Sequence, residues 1–519
     1  MIRTAIYTSP KPTVDPGVYP VDAWNYQRGL YTEYWQHFDG SWLDDEVSTD
    51  VLEYPLQLNP FNLACMLHAG FLTGEVPDGS DPLIEINVEP WGQDSTDEER
   101  SAASKMQDFL TRVWIENNGR SVQQEAAIVT QVLGGIIFGV SYEEALKSKG
   151  RLPIRIDFVL PEYFFPVPQP TRYWELLEAF VCFELSSLQA RSMFGIDTDI
   201  DPSVYQEHYS QDMYDITVNG NTVMWRDTMQ SGTPPGGFVP YTYIPHIRAG
   251  DFYGISLLDR KLGLAKEINS RMADVGDIVS ENAKQLPAIG NCRQPSVRTL
   301  SEGISLLDLG NQYPGVPEGP WIKYPASVQA NSATVSWTAD LLNTARTEAY
   351  TPPVCYGIDE GSQRSALTLA LRMIPLIVHI RQERSHWSSG LAQVAKQVLT
   401  LAAINGAGDF SLDDVHNCRV WTDWAPILPR DRETEVNEVL MQTQANLLSP
   451  QSAIARLGTI DDIKTEMNLI KEWMEYTAET EAKGMMAQQD PFKGAGAGGT
   501  LGGLKKPEVP QPSTSKEKE

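Results

Sequence analysis

The chain has 519 residues, long enough for several packed units with cores of their own, and its 41% hydrophobic and 21% charged content is that of an ordinary globular protein. A bilayer span needs about 18 uninterrupted apolar residues, and the densest stretch, 367–380, is broken by Arg372 and His379, which argues against a membrane protein. The net charge of −27 disfavours tight phosphate binding, which needs clustered Lys and Arg; it suits either plain solubility or a surface that meets DNA without gripping it.

Residues 1–20 are Pro-rich, lack the apolar core of a signal peptide, and read as an extended arm on a protein made in the cytoplasm. From 21 to 50 aromatics crowd together, with Tyr31, Tyr34, Trp35 and Phe38 on one helical face ahead of the acidic turn Asp44-Asp45-Glu46. Packing explains such a face better than a sugar platform does. A helix is expected over 56–72, entered through Asn59-Pro60, and another over 96–118, ended by Asn-Asn-Gly. A third helix, 122–133, leads through Gly134-Gly135 into a strand at 136–142. Further strands are expected at 154–160 and 179–184, with a short helix at 186–194. Asn219-Gly220 between apolar runs predicts a hairpin, and 238–246 keeps its β character.

Residues 254–285 then read as one long helix of roughly 48 Å. Leu258, Leu262, Ala265, Ile268, Met272, Val275 and Val279 give it a narrow apolar seam of about 3.5 residues in period. Residues 287–327 are Pro-rich, with strand-like pieces at 304–307 and 321–324, and are too few for a core alone. A helix over 332–350 places Val335, Ala339, Leu342 and Ala345 or Arg346 in register. The hinge 350–363 carries Pro352, Pro353, Gly357 and Gly361. A helix over 362–387 should bury Leu367, Ala370, Leu371, Ile374, Ile377 and Val378, kinked by Pro375. Helix continues over 391–404. Beyond a short strand at 421–429, helices are expected at 433–448, from Ser449-Pro450 to Gly458, and at 461–481. The chain from 483 is low-complexity and should be disordered.

Motifs for chemistry are missing. No phosphate loop, nucleophile elbow or H-E-x-x-H pattern occurs. The cysteines Cys65, Cys182, Cys292, Cys355 and Cys418 are scattered and never spaced C-x-x-C, which argues for a reducing compartment and against a structural zinc. His379 and His386 lie two turns apart, about 10 Å along a helix, too far to share an ion. His68 has no second ligand near it in sequence and reads as a packed histidine. Asp44-Asp45-Glu46, Asp359-Glu360 and Asp461-Asp462 have no oriented proton-transfer partner. No enzyme activity, cofactor or metal is expected.

The order of parts around the long helix resembles that of tailed-bacteriophage portal proteins. Phe252-Tyr253-Gly254-Ile255-Ser256-Leu257-Leu258 leading into Lys266-Glu267-Ile268-Asn269-Ser270-Arg271 resembles their stem entry. Glu360-Gly361-Ser362-Gln363-Arg364-Ser365-Ala366-Leu367 resembles a hinge loop before a kinked helix. Asn446-Leu447-Leu448-Ser449-Pro450-Gln451-Ser452-Ala453, followed by Arg456-Leu457-Gly458, resembles the crown entry. The likeness spans roughly 20–482. It implies an α+β, mainly α, portal-type fold with a wing (21–253), stem helix 1 (254–286), a small α/β clip (287–331) and stem helix 2 (332–349). A tunnel loop (350–363), a kinked long helix with wing return (364–429), crown helices (430–482) and a disordered tail would follow. The family assembles as a homo-oligomer, usually a dodecamer, around a channel for double-stranded DNA at one capsid vertex. Its partners would be the terminase large subunit, a head-tail adaptor protein, and the major capsid and scaffolding proteins. The resemblance places Val354, Tyr356, Ile358, Asp359 and Glu360 at the tunnel loop.

Two other classes stay open. A capsid or tail protein could use the long helix in an oligomer without a DNA channel. A carbohydrate-active enzyme could use the Trp24–Trp42 aromatics as a glycan platform.

Overall fold

The computed structural model of the chain describes residues 21–42, 58–74, 83–92, 95–225, 228–283, 288–293, 296–299, 305–308, 311–312, 314–323, 332–358, 366–427, 432–445, 447–457 and 466–477. The fold is α+β and mainly α, in two units divided between Pro429 and Arg430. The expected N-terminal arm, the acidic turn at 44–46, the tail, and Asp359, Glu360 and Gly361 lie outside the described residues.

Helix α1 (Val21–Asp39) turns Tyr31, Tyr34 and Trp35 into the main core with Trp42, so these aromatics are packing groups and not a glycan platform. Helix α2 (Pro60–Thr73) begins as its sequence requires: the Asn59 side chain accepts from the Asn62 N–H, and Pro60 occupies the first turn, where no N–H is needed. After β1 (Glu85–Pro90), α3 (Asp97–Glu116) opens with a reciprocal capping box between Thr96 and Glu99. Helix α4 (Gly119–Leu133) starts three residues earlier than expected. Asn118 adopts φ 56° and feeds one helix directly into the next.

Strand β2 (Gly135–Tyr142) is central in a three-stranded antiparallel sheet, with β3 (Ile154–Val159) on one side. A second sheet holds β4 (Phe164–Pro168), β5 (Leu176–Leu185), β6 (Ser203–Ser210) and β7 (Tyr214–Val218) side by side, with α5 (Ser187–Phe194) between β5 and β6 in sequence. The expected Asn-Gly turn follows β7: Asn219 and Gly220 both take positive φ (51° and 77°), which matches the twist of a two-residue hairpin. Strand β8 (Tyr241–Pro245) then completes the first sheet against β2.

Helix α6 spans Leu262–Ala283, a length of about 33 Å, and does not begin at Gly254. The end of α4 decides this. A helix leaves its last carbonyls without partners, and here the Leu257 N–H donates to Gln131 O at 3.0 Å while the Ser256 hydroxyl donates to Val132 O at 2.6 Å. The stretch is thereby pinned to the end of α4, and Arg260 at φ 59°, a left-handed backbone, interrupts any helix running from Gly254. Gly254 faces Gly134 so closely that a Cβ would lie 2.0 Å from the Gly134 carbonyl oxygen. Leu258 is therefore buried in an entry turn, not on a helical seam. Ala265 and Ile268 are buried as expected, and Met272 and Val275 are half-buried. The Val279 side chain is outside the described residues.

Six short strands follow: β9 (Ala288–Gly290), β10 (Cys292–Arg293), β11 (Ser296–Thr299), β12 (Ser305–Asp308), β13 (Asn311–Gln312) and β14 (Trp321–Lys323). They pair in nested order, β11 with β12, β10 with β13, and β9 with β14. Among the described residues the insert is thus three nested antiparallel strand pairs between α6 and α7 (Ser332–Glu348) in sequence, and α7 packs beside α6. On α7 the buried face is Thr338, Leu341 and Ala345, with Ala349 just beyond; Ala339 is exposed, so the expected register is displaced.

Pro375 does not kink a continuous helix. The chain forms α8 (Ala366–Arg372), breaks at Met373, and restarts as the 31-residue α9 (Ile374–Ile404), with Pro375 in the first turn. A proline lacks a donor and clashes with the preceding turn, and in a first turn neither matters. The break also changes the buried face. Met373, Leu376 and Ile380 are buried, whereas Leu371, Ile374 and Val378 are 57%, 46% and 48% exposed. Further along, α9 crosses β8 so tightly that a Cβ on Gly390 would lie 2.4 Å from the Ile244 side chain. After α10 (Leu412–His416), β15 (Cys418–Asp423) pairs with β1. The Gln107 amide finishes the free side of β1, accepting from Val88 N–H and donating to Ile86 O, each at 2.7 Å. In the second unit, α11 (Arg432–Gln444), α12 (Pro450–Leu457) and helical residues 466–477 are described.

Candidate functional site

The hinge begins where α7 ends. Tyr350 takes φ 55°, a left-handed conformation that is strained for a bulky side chain. Thr351 is buried and its hydroxyl pairs with the Tyr356 hydroxyl at 2.8 Å. Pro352 is extended, Pro353 opens a short 3-10 turn through Tyr356, and Gly357 closes it at φ 72°. Of the expected tunnel-loop residues, Val354 packs against the buried cluster Met373, Leu376 and Ile380. Tyr356 lies under the Arg346 guanidinium at 5.3 Å, and Ile358 is 37% exposed. Thus two of the three described tunnel-loop side chains are engaged within their own chain, and Pro375 lies at the start of the helix they pack on.

Behind Tyr350 the fold assembles a cluster that sequence spacing concealed. His68 comes from α2, His246 follows β8, and His379 and Glu383 come from successive turns of α9. The His379 ring stacks on Tyr350 with centroids 4.4 Å apart and meets His68 edge-on at 5.1 Å. His68 Nε2 lies 2.8 Å from Ala349 O, an acceptor only, so this nitrogen carries the hydrogen and Nδ1 is left bare. By the same reasoning His246 donates from Nδ1 to Ile255 O at 2.7 Å. Its Nε2 then accepts from His379 Nε2 at 3.0 Å.

Glu383 completes the cluster. Its Oε1 accepts from the Gln131 amide, and its Oε2 lies 3.9 Å from His246 Nε2 with no hydrogen-bond partner among the described residues. His68 Nδ1 and Gln131 Oε1 are likewise unpartnered there. Burial sets the protonation states. It pushes His68, His246 and His379 down to about 3, helped by their mutual repulsion, and it pushes the Glu383 carboxyl well up. The cluster is therefore held neutral, with four proton-binding groups removed from water. Lys261, just before α6, donates to Leu257 O and lies 5.9 Å from the centre of the Tyr350 ring.

The neighbouring Arg384 faces the other way and is fully used. It donates to Phe71 O and Leu72 O at the end of α2 and to Ala425 O beyond β15, and its guanidinium covers the Trp424 ring at 4.8 Å. A cation on the last carbonyls of a helix is favourably placed. Glu383 and Arg384 are adjacent in sequence yet serve different layers. A second carboxyl, the half-buried Glu207, accepts from the hydroxyls of Tyr205 and Tyr241 within the β-sheet region, and desolvation pushes it up.

These groups can hold and exchange protons and can tie elements together. Among the described residues no three His, Cys, Asp or Glu side chains are placed to hold a metal ion, and no helix is long and apolar enough to cross a membrane. His68 and His379 were singled out in the sequence, and His246 was not. The convergence of the three was not legible, because they are separated by 178 and 133 positions and only the packing of α2, β8 and α9 joins them.

No protein-family model and no curated protein matches the chain. Among solved structures it is similar to a chain of the neck of an empty GTA particle computed with C6 symmetry. The two share 13% identity over 77% of this chain and 90% of that one, with a TM-score of 0.44. Nothing about function follows from a match at that level.

Proposed function

We propose that the chain is a virion structural protein, a portal-like connector that assembles as a homo-oligomer, usually twelvefold in the family it resembles, around a channel for double-stranded DNA. The carrying observation is the run α6, nested antiparallel strand pairs, α7: two packed helices with the strand pairs between them in sequence, followed at once by a hinge and a long helix. This agrees with the order stem, clip, stem and tunnel loop that the resemblance implies. A two-stranded pair is marginally stable alone in water, and no other element packs broadly against these among the described residues. Neighbouring copies in an oligomer would supply what they lack.

On this reading the chain is made in the host cytoplasm, resides at one capsid vertex and works without a catalytic residue, cofactor or metal. The insert is the docking end for a head-tail adaptor protein; the terminase large subunit and the major capsid and scaffolding proteins engage the chain during assembly. The charge of −27 keeps phosphates from adhering to the channel wall. Negative-stain imaging of the purified chain under assembling conditions tests the reading. Closed annular particles with a central hole are expected; sheets, fibres or persistent monomers would overturn it, the first two in favour of another virion scaffold.

A further inference from the structure

We propose that His68, His246 and His379 form a proton-operated clasp that holds the end of α7 against α2 and α9 while they are neutral and releases it when they are protonated. The geometry places both grips of the clasp on two consecutive residues: His68 holds the Ala349 carbonyl, and His379 stacks on Tyr350. Tyr350 is 44% exposed and its φ of 55° is a left-handed backbone that disfavours a bulky side chain, so the grip must offset that strain. Release relieves that strain.

Hydrogen-bond counting shows which proton matters. One added proton leaves the His246–His379 pair able to share an N–H···N bond at 3.0 Å, while the neutral Glu383 carboxyl supplies no charge to balance it. A second proton sets two N–H donors head to head at 3.0 Å with no acceptor between them. A proton on His68 Nδ1 would sit where no acceptor exists among the described residues.

The surroundings add positive charge. Lys261 faces the cluster from the entry of α6, with Asp259 beside it; Glu348 faces Lys261 from α7; Cys65 comes from α2. Arg384 and His386 lie on α9 with Glu383, Arg248 follows β8, and the α4 side contributes the uncharged Gln131. Each histidine is lowered in the closed form, so its contribution to closure is complete above its ordinary value of 6.5 and is lost as pH falls from 6.5 toward about 3. Glu383 works in the opposite sense, because its closed form binds the proton more tightly; it stays on Gln131, away from the grips.

Amide hydrogen exchange on the intact chain, corrected for intrinsic rates, tests the clasp at the segment 346–358. On going from about pH 7.5 to about pH 5, protection there should fall roughly thirtyfold for each histidine released, while α3 stays protected. The double variant His68→Gln/His379→Gln keeps amide donors that cannot be protonated in this range, and its segment should lose most of the pH dependence. Unchanged protection of the wild-type segment down to pH 5, loss only in step with α3, or full pH dependence in the double variant would each overturn the proposal. The wild-type comparison of 346–358 with α3 decides the matter even where the double variant fails to fold.

Discussion

At the residue scale, function follows from how buried polar groups are satisfied. Arg384 has acceptors in every direction: three carbonyl oxygens and the face of Trp424. Its removal would strip the last carbonyls of α2 and the chain after β15 of their donor. Hydrogen bonds from a charged donor contribute about 1.5–3 kcal/mol each, less what water recovers, so Arg384→Ala should destabilise the first unit by about 2–3 kcal/mol. The midpoint of urea unfolding of the unassembled chain would show it, and a shift under about 0.5 kcal/mol would contradict the assignment. Glu383, one residue away, was unremarkable in the sequence because nothing marks a carboxylate as buried until its neighbours are known. His68 and His379 are buried, as the reading of them as packed groups expected. What escaped notice was that they pack against each other.

At the element scale, local signals placed most helices and strands and failed where another element claimed the same backbone groups. Thr96-x-x-Glu99, Asn59-Pro60 and Asn219-Gly220 act over a few residues, and the structure uses each as its chemistry requires. The 254–261 stretch is apolar at helical spacing, yet it is pinned to the end of α4 and broken by the left-handed Arg260. Pro375 was visible, but whether α8 and α9 would kink or separate depended on the pocket filled by Met373 and Leu376. The same break exposes Leu371, Ile374 and Val378. Gly390 offers a sharp check on the crossing of α9 over β8. Gly390→Val would force its side chain into Ile244, with an expected loss of about 1–3 kcal/mol; an unchanged melting temperature would show that the helix can move away.

At the scale of the whole molecule, the net charge bears on the proposed function, because a channel for DNA should not bind it. With a net charge of −27, the assembled protein should give no mobility shift of duplex DNA at about 0.15 M salt. Retention at micromolar protein would show a basic track that the total charge conceals. The sequence alone determined the composition class, the acidity, the lack of catalytic motifs and the serial order of helix, insert, helix and hinge, because these depend on residues close together in the chain. The tertiary structure alone decided where α6 begins, how the strands of the insert pair in nested order, which face of α9 is buried, and that three histidines and a glutamate meet beneath Tyr350. Each of those depends on which distant backbone group or side chain arrives to complete a hydrogen bond or fill a cavity, and that information is not carried by local spacing.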